Sequence, residues 1–126
     1  MTHADPAERF EARIWDLREQ ANEDLAEFTP PRNPPKEERA MSYLTAGAGP
    51  AVSVYVEART SGLMVHFPPD QYEALESTMN DYLELYAACY GRDIDAEYTV
   101  RTAAEALIDT RDIGDVARIL THVPAE

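Results

Sequence analysis

The sequence predicts an α+β domain in which helices cover one face of a small antiparallel hairpin sheet. Two helical stripes bracket a period-2 stretch. Phe10, Ile14, Leu17, Ala21, Leu25 and Phe28 recur at steps of three and four, as do Tyr72, Leu75, Met79, Tyr82, Tyr86 and Cys89. Between them Val52, Val54 and Val56 alternate with Ser53, Tyr55 and Glu57, the pattern of a half-buried strand. The expected order is an N-terminal helix, a Pro-rich linker, a hairpin, one long helix and two short C-terminal helices.

The first helix has a start signal: Asp5 as cap, Pro6 at the first helical position and Glu8 three residues after the cap. Glu19, Glu23 and Glu27 stand four apart on its polar side, so this helix needs to dock its stripe to be stable. Pro30, Pro31, Pro34 and Pro35 end it and read as a stiff spacer rather than a polyproline ligand. Residues 36–44 suit one or two helical turns, and Gly47-Ala48-Gly49-Pro50 reads as a break.

The second strand of the hairpin is Leu63, Val65 and Phe67, joined to the first through Arg59-Thr60-Ser61-Gly62. Pro68-Pro69-Asp70 opens the long helix and Gly91 terminates it. Thr99 and Asp112 are expected caps of two short helices, with Val100, Ala103, Ala104, Leu107 and Ile108 facing inward on the first. Ile113, Val116, Ala117 and Leu120 form the inner face of the second. The chain divides into a helical arm (1–28), a Pro/Gly-rich linker (29–50) and an α+β core (51–126).

Composition narrows the function classes. There are 24 Asp and Glu against 11 Lys and Arg, with Lys36 the single lysine, for a net charge of −13 on 126 residues. Such a load makes the compact state repel itself, and salt relieves it: the Debye length falls to about 3 Å at 1 M. The usage resembles that of proteins that fold in concentrated salt. It argues against binding along a nucleic-acid backbone, which draws on Lys and Arg. The acids are spread along the whole chain, which disfavours nucleic-acid mimicry. No apolar run is long enough for a membrane span, the opening residues lack a signal-peptide pattern, and Cys89 is the single cysteine, so a cytoplasmic protein is expected.

No motif for catalysis stands out. His3, His66 and His122 share no metal-ligand spacing, and Cys89 falls on an apolar helical stripe. Asp93-Ile94-Asp95-Ala96-Glu97 opens like a calcium loop, but Tyr98 and Ala104 stand where an EF-hand needs glycine and glutamate. No cofactor or metal is expected. A hairpin followed by a helix invites comparison with ribbon-helix-helix repressors. Yet the helix after the hairpin is too long at about six turns, where those proteins have a short one with the second close behind. The C-terminal helix pair resembles a helix-turn-helix without its turn glycine.

The favoured expectation is a non-enzymatic interaction or regulatory module that forms a homodimer and captures a protein partner. Trp15 points away from the first helix's apolar stripe, and Tyr82, Tyr86 and Tyr90 form a ladder four residues apart; these aromatics are the expected contact residues. The alternative is a DNA-binding regulator that uses Arg59, Arg101, Arg111 and Arg118. The acid excess carries its own test. The thermal unfolding midpoint is expected to rise strongly as KCl goes from about 0.1 M to about 2 M, because screening relieves repulsion among carboxylates. A midpoint that salt leaves unchanged or lowers removes the halophilic reading.

Overall fold

The computed structural model describes residues 6–60 and 67–124. Among them every regular element is helical: α1 (Pro6–Glu27), α2 (Glu37–Tyr43), a π-helical turn (Leu44–Ala48), α3 (Gly49–Thr60), α4 (Pro69–Cys89), α5 (Val100–Thr110) and α6 (Ile113–Thr121). The expected α+β fold with its hairpin sheet is thereby corrected to an all-helical one. The residues assigned to the first strand form α3. Leu63 and Val65 of the second strand lie outside the described residues, as does the helix cap proposed at Asp5.

The reason for the difference lies in how α3 is packed. It is enclosed by α1, α4 and α5, so it buries apolar residues around most of its circumference. Ala51, Val52, Val54, Tyr55 and Ala58 are all buried, while Glu57, Arg59 and Thr60 reach solvent. A helix buried on several sides loses the single stripe by which helices are recognised. The valines' preference for strands amounts to tenths of a kcal/mol per residue, and tertiary packing overrides it.

The expected break at Gly47-Ala48-Gly49-Pro50 is also absent. The helix runs on from α2 through the π turn into α3, with the Gly49 N–H bonding back five residues to the Leu44 carbonyl. Pro50 has no N–H for the carbonyl four residues back, Ala46. That carbonyl instead accepts from Gln20 Nε2 of α1 at 2.7 Å. The widened turn brings Gly47 against the face of the Tyr82 ring, where a Cβ would lie 2.5 Å from ring atoms.

α4 is the hub, touched by every other helix and by the π turn. Its Leu75, Met79, Tyr82, Leu83, Tyr86 and Cys89 are buried. α1 lies along it, with Ile14 and Ala21 buried and Arg18 paired to Asp81. The Pro-rich segment is closed by the Lys36 N–H donating to the Cys89 carbonyl at 2.8 Å. Arg39 stacks its guanidinium over Phe28, 4.6 Å from the ring centroid, and donates to the Thr29 carbonyl at 2.9 Å. At the C-terminal end of α4, Gly91 takes φ +78°, and the Arg92 N–H reaches the Ala87 carbonyl at 3.0 Å. That reversal is why glycine ends the helix.

Beyond Gly91 the chain turns back along α4 and is zipped to it by side chains one turn apart. The Ala96 N–H donates to Glu84 at 2.9 Å and the Val100 N–H to Glu76 at 3.1 Å. Between them Asn80 brackets Tyr98, accepting from its N–H at 3.1 Å and donating to its carbonyl at 3.0 Å. Thr99 then caps α5 by accepting from the Thr102 N–H, and Asp112 caps α6 through the Asp115 N–H, both at 3.1 Å. Tyr86 Oη donates to the Val123 carbonyl at 2.6 Å and holds down the tail.

The contact at Gly47 generates a prediction. Gly47→Ala is expected to destabilise the fold by about 1–3 kcal/mol, the usual cost of overpacking a core. Urea unfolding measures it; an alanine that leaves stability unchanged contradicts the ring contact.

Candidate partner-docking groove

The structure distributes the expected contact residues unevenly. Trp15 is 40% exposed on the outer face of α1. Tyr82 and Tyr86 are 0% and 2% exposed, so these two rungs of the tyrosine ladder belong to the core and offer no surface to a partner. Tyr90 is partly buried, its ring 5.2 Å from that of Tyr86 in an edge-on contact. The ladder's spacing is the apolar stripe of α4 itself, which faces the bundle on more than one side.

The cations also separate. Arg118 pairs with Asp115 on α6, and Arg111 sits at the C-terminal end of α5 in the left-handed region, φ 58°. Arg59 and Arg101 come together, although 42 positions separate them (101 minus 59). They line one hollow of about 290 Å³ between the end of α3 and the exposed side of α5, with Val56, Ala104 and Ile108 as its apolar part. Arg59 lies over Tyr55, 5.7 Å from the centroid, and donates to its hydroxyl at 3.2 Å. Arg101 pairs with Glu105 one turn on, Nε to Oε1 3.5 Å.

A second hollow of about 340 Å³ lies elsewhere on the same two helices, where Pro50 and Ser53 of α3 face Leu107 of α5 and Ile113 of α6. The hollow that holds Arg59 and Arg101 is the α3–α5 groove, with Val56, Ala104 and Ile108 as its apolar part. Ile108, expected on the inner face of its helix, is 55% exposed on the groove's edge. A signal for this was present in the sequence. At 100° per residue Ile108 falls on the Arg101–Glu105 flank, away from the mean direction of Val100, Ala103 and Leu107. Val56 and Ala104 were beyond such reading, because their neighbours come from different helices.

A third hollow, also about 340 Å³, runs along the solvent side of α4 and carries Glu73, Glu76, Asp81 and Glu97. Two of those carboxylates are already engaged, Glu76 by the Val100 N–H and Asp81 by Arg18. Burial first, and Glu76 second, push the Tyr72 phenol at its rim above its ordinary range, with Arg101 acting against them. Among the described residues no group of three or more His, Cys, Asp or Glu is placed to hold a metal ion. Cys89 is buried, and burial raises its thiol.

The enclosed tyrosines predict an alkaline limit. Burial above all raises the Tyr82 and Tyr86 phenols well beyond their ordinary value near 10; the Tyr82–Asp24 bond adds to the first and neighbouring Tyr90 to the second. Both stay neutral in the fold while the unfolded chain ionises, so their contribution is whole below about pH 10 and is lost as pH rises beyond it. Stability is expected to fall above pH 10 with a slope approaching about 1.4 kcal/mol per pH unit for each tyrosine. Urea midpoints at pH 8, about 10 and about 11.5 test this, and Tyr82→Phe/Tyr86→Phe should flatten the decline. A midpoint constant over that range contradicts the placement of these rings.

A family model described as a domain of unknown function, DUF8055, matches residues 8–125, and the chain belongs to that family. No curated protein and no solved structure matches it. Among the described residues no helix is long and apolar enough to cross a membrane.

Proposed function

We propose that the protein is a non-enzymatic interaction module, a small adaptor or regulatory subunit, that receives a carboxylate-bearing amphipathic helix in its α3–α5 groove. The observation that supports this reading is the groove's composition. Val56, Ala104 and Ile108 form an apolar floor beside Arg59 and Arg101, on a chain whose net charge is −13. An isoleucine left 55% exposed forgoes part of the roughly 1.5–3 kcal/mol its full burial contributes. A helix laid along the seam recovers that area, and its carboxylates meet guanidinium groups in charge-assisted hydrogen bonds. A cytoplasmic location goes with this reading, supported by Cys89, a single free thiol kept in the core.

The DNA-binding reading gains less from the same geometry. Arg59 and Arg101 are together, but Arg118 is engaged by Asp115, and Arg111 lies ten residues along α5 from Arg101, about 15 Å at 1.5 Å per residue. Two cations give little of the phosphate neutralisation that sets DNA affinity.

The test places a photo-crosslinking residue at Ile108 and, as a control, at exposed Glu23. At about 2 M KCl the Ile108 position is expected to give one discrete protein adduct, absent from the control. Arg59→Glu/Arg101→Glu in the same chain should remove it. An adduct indifferent to that reversal overturns the groove reading. So does sequence-specific duplex DNA held at the same salt and released by the reversal, which favours the regulator instead.

A further inference from the structure

We infer that the helix received by the α3–α5 groove is the outer face of α1 from a second copy of this chain. The inference rests on the reading of the groove as a docking site and names its occupant. The chain itself carries the ridge that the groove's chemistry calls for. Trp15 stands 40% exposed on α1, with exposed Glu11 and Glu19 one turn to either side and Glu8 one turn further. Residues at i, i+4 and i+8 form a single strip about 12 Å long, a large apolar ring between carboxylates. The groove is its counterpart: apolar Val56, Ala104 and Ile108 beside the guanidinium groups of Arg59 and Arg101.

Rigidity favours the match. α1 is fixed to its own bundle through buried Ile14 and Ala21, and the Arg18–Asp81 pair secures it at the ridge's flank, one turn from Trp15, so the ridge is presented already ordered. Binding then forgoes little conformational freedom. Electrostatics favours the groove over the acidic hollow on the solvent side of α4. The solvent side of α4 offers Glu73, Glu76, Asp81 and Glu97, which repel an acidic ridge, whereas the α3–α5 seam carries two arginines and one glutamate. Pairs partly enclosed beneath an indole ring are screened far less than charges in open solvent, so concentrated salt does not dissolve them. Glu105 is the one carboxylate in the groove, and it competes for Arg101.

The experiment measures the mass of the full chain by light scattering at tens of micromolar in about 2 M KCl, with circular-dichroism melts to confirm that each variant folds. A dimer is expected. Trp15→Ala, Glu11→Arg/Glu19→Arg and Arg59→Glu/Arg101→Glu should each weaken it tenfold or more, and the two charge reversals combined in one chain should restore it. Glu105→Gln should tighten it severalfold by freeing Arg101. A monomeric wild-type chain overturns the inference, as does a dimer that neither ridge variant disturbs. If ridge variants leave the arginine-dependent adduct at Ile108 intact, another helix occupies the groove: the inference falls and the docking reading stands. If the adduct is also indifferent to the arginines, both fall.

Discussion

The fold turns on the hydroxyl of Tyr82. It donates to Asp24 at 2.5 Å and accepts from Gln20 Nε2 at 2.8 Å, and that same amide nitrogen donates to the Ala46 carbonyl. Four residues, two on α1, one on the π turn and one on α4, thus meet at one polar node at the edge of the core. Without Pro50 the Ala46 carbonyl would have an ordinary helical partner and no call on Gln20. Without Gly47 the π turn could not approach the ring closely enough to place that carbonyl within reach. The π turn therefore lets a proline-containing helix pass the ring while the carbonyl that Pro50 leaves without a helical partner is taken by Gln20.

A chain this acidic has to dispose of its carboxylates, and the structure sorts them into two uses. Some act as acceptors inside the fold: Asp24 for Tyr82, Glu76 and Glu84 for backbone N–H groups, Asp112 for the start of α6. A carboxylate that accepts a backbone N–H does what a strand partner would do, which is how residues 96–100 lie extended along α4 with no sheet beside them. Among the described residues most of the others are exposed, and there salt screening governs their cost. The acidic run from Asp93 to Glu97 belongs to this scheme. Its own carboxylates face water while its backbone is held by those of α4.

α1 and α4 were legible from spacing alone, because each carries an unbroken run of apolar residues at steps of three and four and has proline at its first position. The caps at Thr99 and Asp112 were legible for a local reason, a side chain bonding a backbone N–H three residues on. α3 was not. Its Val-x-Val-x-Val pattern is a strand signature in isolation, and only the presence of α1, α4 and α5 around it explains why Val52 and Val54 are buried together with Tyr55 of the other register. The same limit hid the groove. Arg59 and Arg101 are 42 positions apart, and no periodicity within one segment brings them together. Tyr82 and Tyr86 went the other way: their ladder spacing suggested contact with a partner, but the rings are buried and Asp24, Gln20 and the Val123 carbonyl take the place of water at their hydroxyls.

The scarcity of lysine has a structural counterpart in what the arginines do. Arg13 lies over Phe10, Arg39 over Phe28 and Tyr43, and Arg59 over Tyr55, at 4.6–5.8 Å from the ring centroids. A planar, weakly hydrated guanidinium can stack on a ring and keep its edge for a carboxylate or carbonyl, as Arg13 does with Glu57 and Arg39 with Thr29. An ammonium group is a hydrated point charge with no face to stack. In concentrated salt the coulombic part of a solvent-exposed cation's contribution fades, and the part carried by dispersion and ring contact persists. Replacing arginine by lysine at these positions would keep the net charge and lose the component that salt cannot screen. That distinction carries over to the groove, where Arg59 is already ordered against Tyr55 before any partner arrives and forgoes less freedom in meeting a carboxylate than a lysine would.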